Sequence, residues 1–317
     1  MLLPKVIASS VIRSAHQGQS HGGVYIVDLE TEKWRQVIDW NNPSINWGGR
    51  GADRGLRGIA LYGGEVYLAA SDELFVYGPG WKIRRSFRNN YLKHCHEICI
   101  YEDRLFLTST GFDSVLELDL LAQRFTRGLC FRELDVQPVT PHPKLALFDP
   151  ASLRGPQPAD TFHINNVFGS GDTLFVAALG WDVLWQINPR GKLEPYARIP
   201  KGSHNARPYG PGVLLNDTAA NRVALLDLNG AMLKSFAIEE YPVQQLQMAD
   251  LPSDHARQAF GRGLAVASDL MIAGSSPATI CVCSVADARH LKRINLTMDV
   301  RNSIHGLALW PSEYDEF

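Results

Sequence analysis

A short phrase recurs along the chain: one polar, usually cationic residue leads into a run of apolar ones. It stands as Ile304-His305-Gly306-Leu307-Ala308-Leu309-Trp310 near the end, and with arginine as Arg57-Gly58-Ile59-Ala60-Leu61 and Arg262-Gly263-Leu264-Ala265-Val266. Looser copies begin at His96, His163 and His204. Each phrase reads as a strand and is followed by further strand-like runs rich in β-branched and aromatic residues, such as Glu65-Val66-Tyr67-Leu68-Ala69 and Thr173-Leu174-Phe175-Val176-Ala177. Turn residues punctuate the runs, as in Asn188-Pro189-Arg190-Gly191 and Leu228-Asn229-Gly230. Helical periodicity is scarce and no alternation of strands and helices appears, which argues against a parallel α/β fold.

The leading residues sit at positions 57, 96, 163, 204, 262 and 305. Three of the five gaps fall near the ~40–50 residue period of propeller blades. The pattern therefore predicts one all-β domain over residues 1–317: a six-bladed β-propeller of four-stranded antiparallel blades. The blades are expected over 305–314 with 5–40, then 57–88, 96–130, 163–199, 204–238 and 262–298. The N-terminal group holds three strands, one short of a blade. The missing inner strand is expected from His305 to Trp310, so that pairing of the two chain ends closes the ring. The two long gaps predict insertions over the channel mouth at 131–160 and 239–260. The first is proline-rich (Pro138, Pro141, Pro143, Pro150, Pro156, Pro158) and is expected to lack regular sheet. The second is expected to be helical around Val243 to Ala249.

Composition changes this picture little. The chain is 45% hydrophobic and 20% charged, with a net charge of -2, so no basic field for nucleic acid is evident. No apolar stretch reaches the ~20 residues of a membrane span, and the start lacks a signal-peptide pattern; a cytoplasmic protein with no membrane partner is expected. Cys95, Cys99, Cys130, Cys281 and Cys283 have no zinc-knuckle spacing and read as small buried residues. No phosphate loop, dinucleotide fingerprint or nucleophile elbow is present, so no nucleotide cofactor is expected.

With these repeats the chain resembles the six-bladed β-propeller proteins, a group that includes NHL-type and gluconolactonase-like propellers. The resemblance is one of architecture and covers nearly the whole chain. Within that group the peptidyl-hydroxyglycine amidating lyases hold zinc by channel histidines; in looser company, the seven-bladed carotenoid-cleaving oxygenases hold iron by four. His96, His163, His204 and His305 stand at comparable positions, which implies a divalent transition metal, zinc or iron. A metal-free polar channel is the other reading. No lyase motif outside the histidines matches, and the gluconolactonase-like calcium set is not recognisable.

Imidazoles from separate strands at one level around an axis could ligate a metal without any local motif. Arg57 and Arg262, with Arg207 near the level of His204, would offer planar forks to an anionic small molecule. Asn166 and Trp181 are further candidates for substrate contact. Asp113, Asp182 and Asp217 fall in or beside loops expected on the same face, where a carboxylate could act as general base or orient a histidine; turn residues are the alternative. Two functions follow: a metal-dependent lyase, hydrolase or oxygenase acting on a small anionic molecule, or a non-catalytic module for a glycan, peptide or protein. Oligomeric state is not legible.

Overall fold

The computed structural model describes residues 2–16, 18–41, 55–132, 143–252, 257–315 and 317. Among these residues six antiparallel sheets form; five run in chain order from an inner to an outer strand, and the sixth takes its inner strand from the C-terminal end. Blade 1 joins Asn302–Trp310 to Lys5–Ile12, Gly23–Asp28 and Trp34–Asp39. Blade 2 spans Leu56–Tyr62 to Lys82–Arg88, and blade 3 begins at Ile98–Tyr101. Blades 4, 5 and 6 begin at Ile164–Ser170, Ser203–Tyr209 and Arg262–Ala267.

Sequence explains which strands go inside. The second strands, such as Glu65–Ala70 and Leu270–Ser275, are buried along their whole length. They pack on a neighbouring blade on each face, so they read as continuous apolar runs rather than alternating ones. Outer strands such as Lys82–Arg88 alternate, because only one face is covered. Six apolar clusters result, each between two adjacent blades. A closed ring of such contacts leaves no sheet face open.

Closure is made by the chain ends. Lys5 pairs with Trp310, Ile7 with Ala308 and Ser9 with Gly306 in an antiparallel ladder. Gly306 is required there: a Cβ at this position would lie 2.1 Å from the Arg57 carbonyl oxygen and 2.6 Å from Ser9 Oγ. Gly306→Ala is therefore expected to destabilise the protein by about 3 kcal/mol, the upper end for overpacking, because backbone must move. A urea midpoint equal to the unmutated protein's would contradict it.

Two expectations need correction. The proline-rich insertion does contain sheet: Lys144–Phe148 pairs with the strand Arg124–Arg132 and makes blade 3 five-stranded. It lies between Pro143 and Pro150, and an edge strand free of proline is compatible with flanking prolines. The second insertion has no helix around Val243 to Ala249; it has a single 3-10 turn, Val243–Gln245, after which Leu246 is extended. Gln247 instead exchanges backbone hydrogen bonds with Met298 and Val300, so a tertiary pairing replaces the helical ladder. The parts of the insertions at 133–142 and 253–256 lie outside the described residues. Among the described residues no helix is long and apolar enough to cross a membrane.

Candidate functional site

Five inner strands break register at or just after their leading residue. The shifts fall between Leu56 and Ile59, Ile164 and Asn166, His204 and Arg207, Arg262 and Leu264, and opposite His305 between Ser9 and Ser10. A bulge of this kind leaves a residue unpaired and turns its side chain out of the ladder. Left-handed backbone accompanies it at His163 (φ 62°), Asn205 (φ 53°) and Gly263 (φ 72°). At His96 a side chain does the same work: the His96 and Glu97 amides donate to Thr108 Oγ1 at 2.9 and 3.0 Å.

The leaders converge as a hub. The His96 and His163 rings meet edge-on with centroids 5.0 Å apart, and Arg57 Nη1 is 3.3 Å from His96 Nε2. The proton positions follow from the partners. His96 Nδ1 is 2.8 Å from the His94 carbonyl, which can only accept, so Nδ1 carries the hydrogen and Nε2 accepts from Arg57. His204 repeats the device: its Nδ1 is 3.0 Å from Thr218 Oγ1, whose own hydrogen goes to the Gly261 carbonyl at 2.9 Å. His204 Nδ1 therefore donates, and Nε2 is a bare lone pair, buried without a hydrogen-bond partner. The ring is only 2% exposed. His163 Nδ1 bonds Asp160 Oδ1 at 3.0 Å.

Every one of these imidazoles is uncharged near neutral pH. Burial pushes His96, His204 and His305 well below the usual histidine range. Cationic neighbours add to this: Arg57 and Arg262 act on His96, and Arg262, Arg57 and Arg13 on His305. Burial also lowers His163, partly offset by the Asp160 carboxylate. Arg262 is itself pushed well down by burial and by the charges of Arg13 and Arg57. Its Nε is buried without a hydrogen-bond partner. Phe260 is the platform for this cluster, with the Arg13, Arg262 and Arg257 guanidinium carbons 4.0, 4.7 and 5.5 Å from its centroid.

Below the hub a cavity of about 330 Å³ runs down the channel, with His96, Glu97, Asn205, Arg207 and His305 on its wall. Arg207 stands here rather than among the leaders, 3.8 Å from Glu97 Oε1 and over the Phe168 ring at 4.8 Å. Asn205 Nδ2 donates to Glu97 at 3.0 Å, tying blade 5 to blade 3 across the channel. Burial raises the Glu97 carboxyl.

The other candidates from sequence take different places. Asp113, 2% exposed, accepts from the amides of Thr161, Phe162 and His163 at 2.7 to 3.1 Å. It holds the turn that presents His163, which makes it a positioning residue. Asp217 is buried against Arg222 at 2.8 Å. Asp182 is 59% exposed and paired with Arg198. Asn166 Nδ2 donates to the Ala206 carbonyl at 3.0 Å, stitching blade 4 to blade 5. Trp181 packs against Phe131, Phe162 and Trp185 between blades 3 and 4. Sequence reasoning missed Arg13, Phe260, Glu97 and the threonines. One signal was there to find: Thr110 and Thr218 each stand fourteen positions after a leading histidine, and each holds that histidine's Nδ1.

As placed, the donor set does not fit a metal ion. Among the described residues no three His, Cys, Asp or Glu side chains form a group that could hold one. The lone pair of His96 Nε2 faces an Arg57 donor, and two further guanidinium groups act on the same hub.

The sheets and their closure define the class: an all-β, six-bladed propeller. No protein-family model matches the chain, and no curated protein matches its sequence. Among solved structures the first below shares the fold, and two others are similar at lower scores. A protein of unknown function from Bacteroides caccae aligns over 96% of this chain and 98% of its own, with a TM-score of 0.58 at 10% identity. The computationally designed Ika8 protein covers 94% of this chain and 90% of its own, with a TM-score of 0.49 at 11% identity. A catalytically inactive virginiamycin B lyase from Staphylococcus aureus, solved with quinupristin, covers 86% and 78%, with a TM-score of 0.47 at 13% identity.

Proposed function

We propose that the hub binds the anionic group of a small molecule and that its uncharged imidazoles exchange a proton with that molecule, as in a lyase or hydrolase. One observation carries this reading: the bare Nε2 of His204 is buried beside arginines whose charges oppose one another. A carboxylate or phosphate would relieve that opposition. Arg262, Arg57 and Arg13 would hold it, because guanidinium forks match such anions. His204 and His305 would act as general bases, since a neutral imidazole can accept a proton, and would return it from the charged form. The metal-dependent reading, with His96, His163, His204 and His305 as zinc or iron ligands, is second to this one, because a dication would add to the positive charge.

The test has three parts. Calorimetry with inorganic phosphate is expected to show one site, weakened at least tenfold in an Arg57→Met, Arg262→Met double variant. Elemental analysis of protein purified without a metal-affinity tag is expected to find far less than one equivalent of zinc or iron. One equivalent, lost in a His163→Ala, His305→Ala double variant, would overturn the anion reading in favour of the metal. Incubation with a mixture of carboxylated and phosphorylated metabolites, read by mass spectrometry, separates enzyme from binding module. Consumption of one compound, abolished in His305→Asn, is expected; retention of a compound unchanged would sink the catalytic part.

A further inference from the structure

The lower channel repeats a second pattern beneath the first. Four residues beyond Arg57, His96, Arg262 and His305 stand Leu61, Ile100, Val266 and Leu309. All four are partly exposed and line the 330 Å³ cavity whose upper wall is His96 and His305. Strand rise places them about 13 Å or less below the leaders. Phe168 lies on the same wall in blade 4, and in blade 5 the corresponding stretch supplies Arg207, held by Glu97. Each of the four apolar residues packs on one side against an apolar cluster between blades, and the part left uncovered lines the cavity. The volume is at the small end of the ~300–1,000 Å³ found for ligand cavities. Leu61, Ile100, Val266 and Leu309 share this wall with His96, His305 and the Glu97–Arg207 pair.

We propose that this sleeve takes the apolar tail of an amphiphilic anion whose head group sits at the hub: a medium-chain acyl or aryl carboxylate rather than a compact polar metabolite. The proposal rests on the anion reading of the hub for the position of the head, and on the sleeve alone for the tail. The two halves make separable demands. Guanidinium contacts act on the head whatever follows it. Burial of each methylene along the sleeve adds a constant increment, about fourfold in affinity.

Titration calorimetry of acetate, butyrate, hexanoate and octanoate decides it. Affinity is expected to climb about fourfold per methylene from butyrate to octanoate, at one molecule per chain. Val266→Trp is expected to flatten the series by filling the sleeve. Ile100→Trp fills it from another blade and serves should the first variant not fold. Arg262→Met is expected to weaken every member by the same factor and keep the slope. A flat series in the unmutated protein, with acetate and phosphate still sensitive to Arg262→Met, would overturn the sleeve and leave the hub reading standing. A slope that survives both tryptophan variants would also overturn it. A slope lost in Val266→Trp but indifferent to Arg262→Met would keep the tail site and remove the head group from the hub.

Discussion

Replacing Arg262 by methionine is expected to stabilise the folded protein while weakening anion binding at least tenfold. The two effects have one origin. The Arg262 guanidinium is partly buried over Phe260, its Nε has no partner, and burial with the charges of Arg13 and Arg57 disfavours its protonated form. Methionine keeps much of the volume and the packing on the ring but removes the charge. Replacing poorly compensated buried charge with apolar volume stabilises, here by at least about 1 kcal/mol. A hydrogen bond to a charged group contributes about 1.5–3 kcal/mol, so its loss weakens phosphate binding roughly ten- to 150-fold. Urea unfolding without phosphate and calorimetry with it read the two effects separately. A destabilised variant would mean that Arg262 is already compensated within the protein, and the case for an anion would fall with it.

Stability is also expected to fall as pH drops from 7.5 to 5.5. The sign follows from the histidines. The folded values of His96, His204 and His305 lie well below the ordinary 6.5, and His163 is lowered too. Below pH 6.5 the unfolded chain takes up protons that the folded chain refuses. Stability is therefore complete above 6.5 and lost as pH falls towards the folded values. For His204, which is almost wholly buried, the slope approaches about 1.4 kcal/mol per pH unit once pH is below 6.5. Glu97 and Asp113 are raised by burial, so their contribution runs the other way, lost as pH rises above the ordinary carboxylate value. A His204→Asn, His305→Gln double variant isolates the imidazole part by difference. Its stability is expected to depend less on pH between 7.5 and 5.5 than that of the unmutated protein. Phosphate at saturation should flatten the unmutated curve, because a bound anion favours the protonated imidazoles. Parallel curves for variant and unmutated protein would show that these rings titrate normally.

How much of this was legible depends on whether a property repeats. The phrase of polar leader and apolar run marked the inner strands at Arg57, His96, His163, His204, Arg262 and His305, and the same residues reach one hub because the blades repeat. The pairing of His305–Trp310 with the N-terminal strands was legible for the same reason: a three-stranded group at one end needed a strand from the other. What does not repeat was not legible. Arg13 follows no periodic signal and enters the hub only because its strand pairs with the one carrying His305. Phe260 belongs to a connection with no regular pattern, yet three guanidinium groups gather on it. Asp113 resembled a base in a loop, whereas its carboxylate is spent on three backbone amides.

The sequence by itself thus determined the all-β ring, its closure and the leading residues of its inner strands, because alternation, turn chemistry and spacing are properties of a single chain read along its length. Only the tertiary structure decided which nitrogen of each histidine is bare, which arginine is left unbalanced and where the apolar sleeve begins. Those depend on distances and burial between segments up to 300 positions apart (Ser9 and Gly306 are hydrogen-bonded neighbours), and electrostatics in a buried hub is set by such neighbours rather than by sequence.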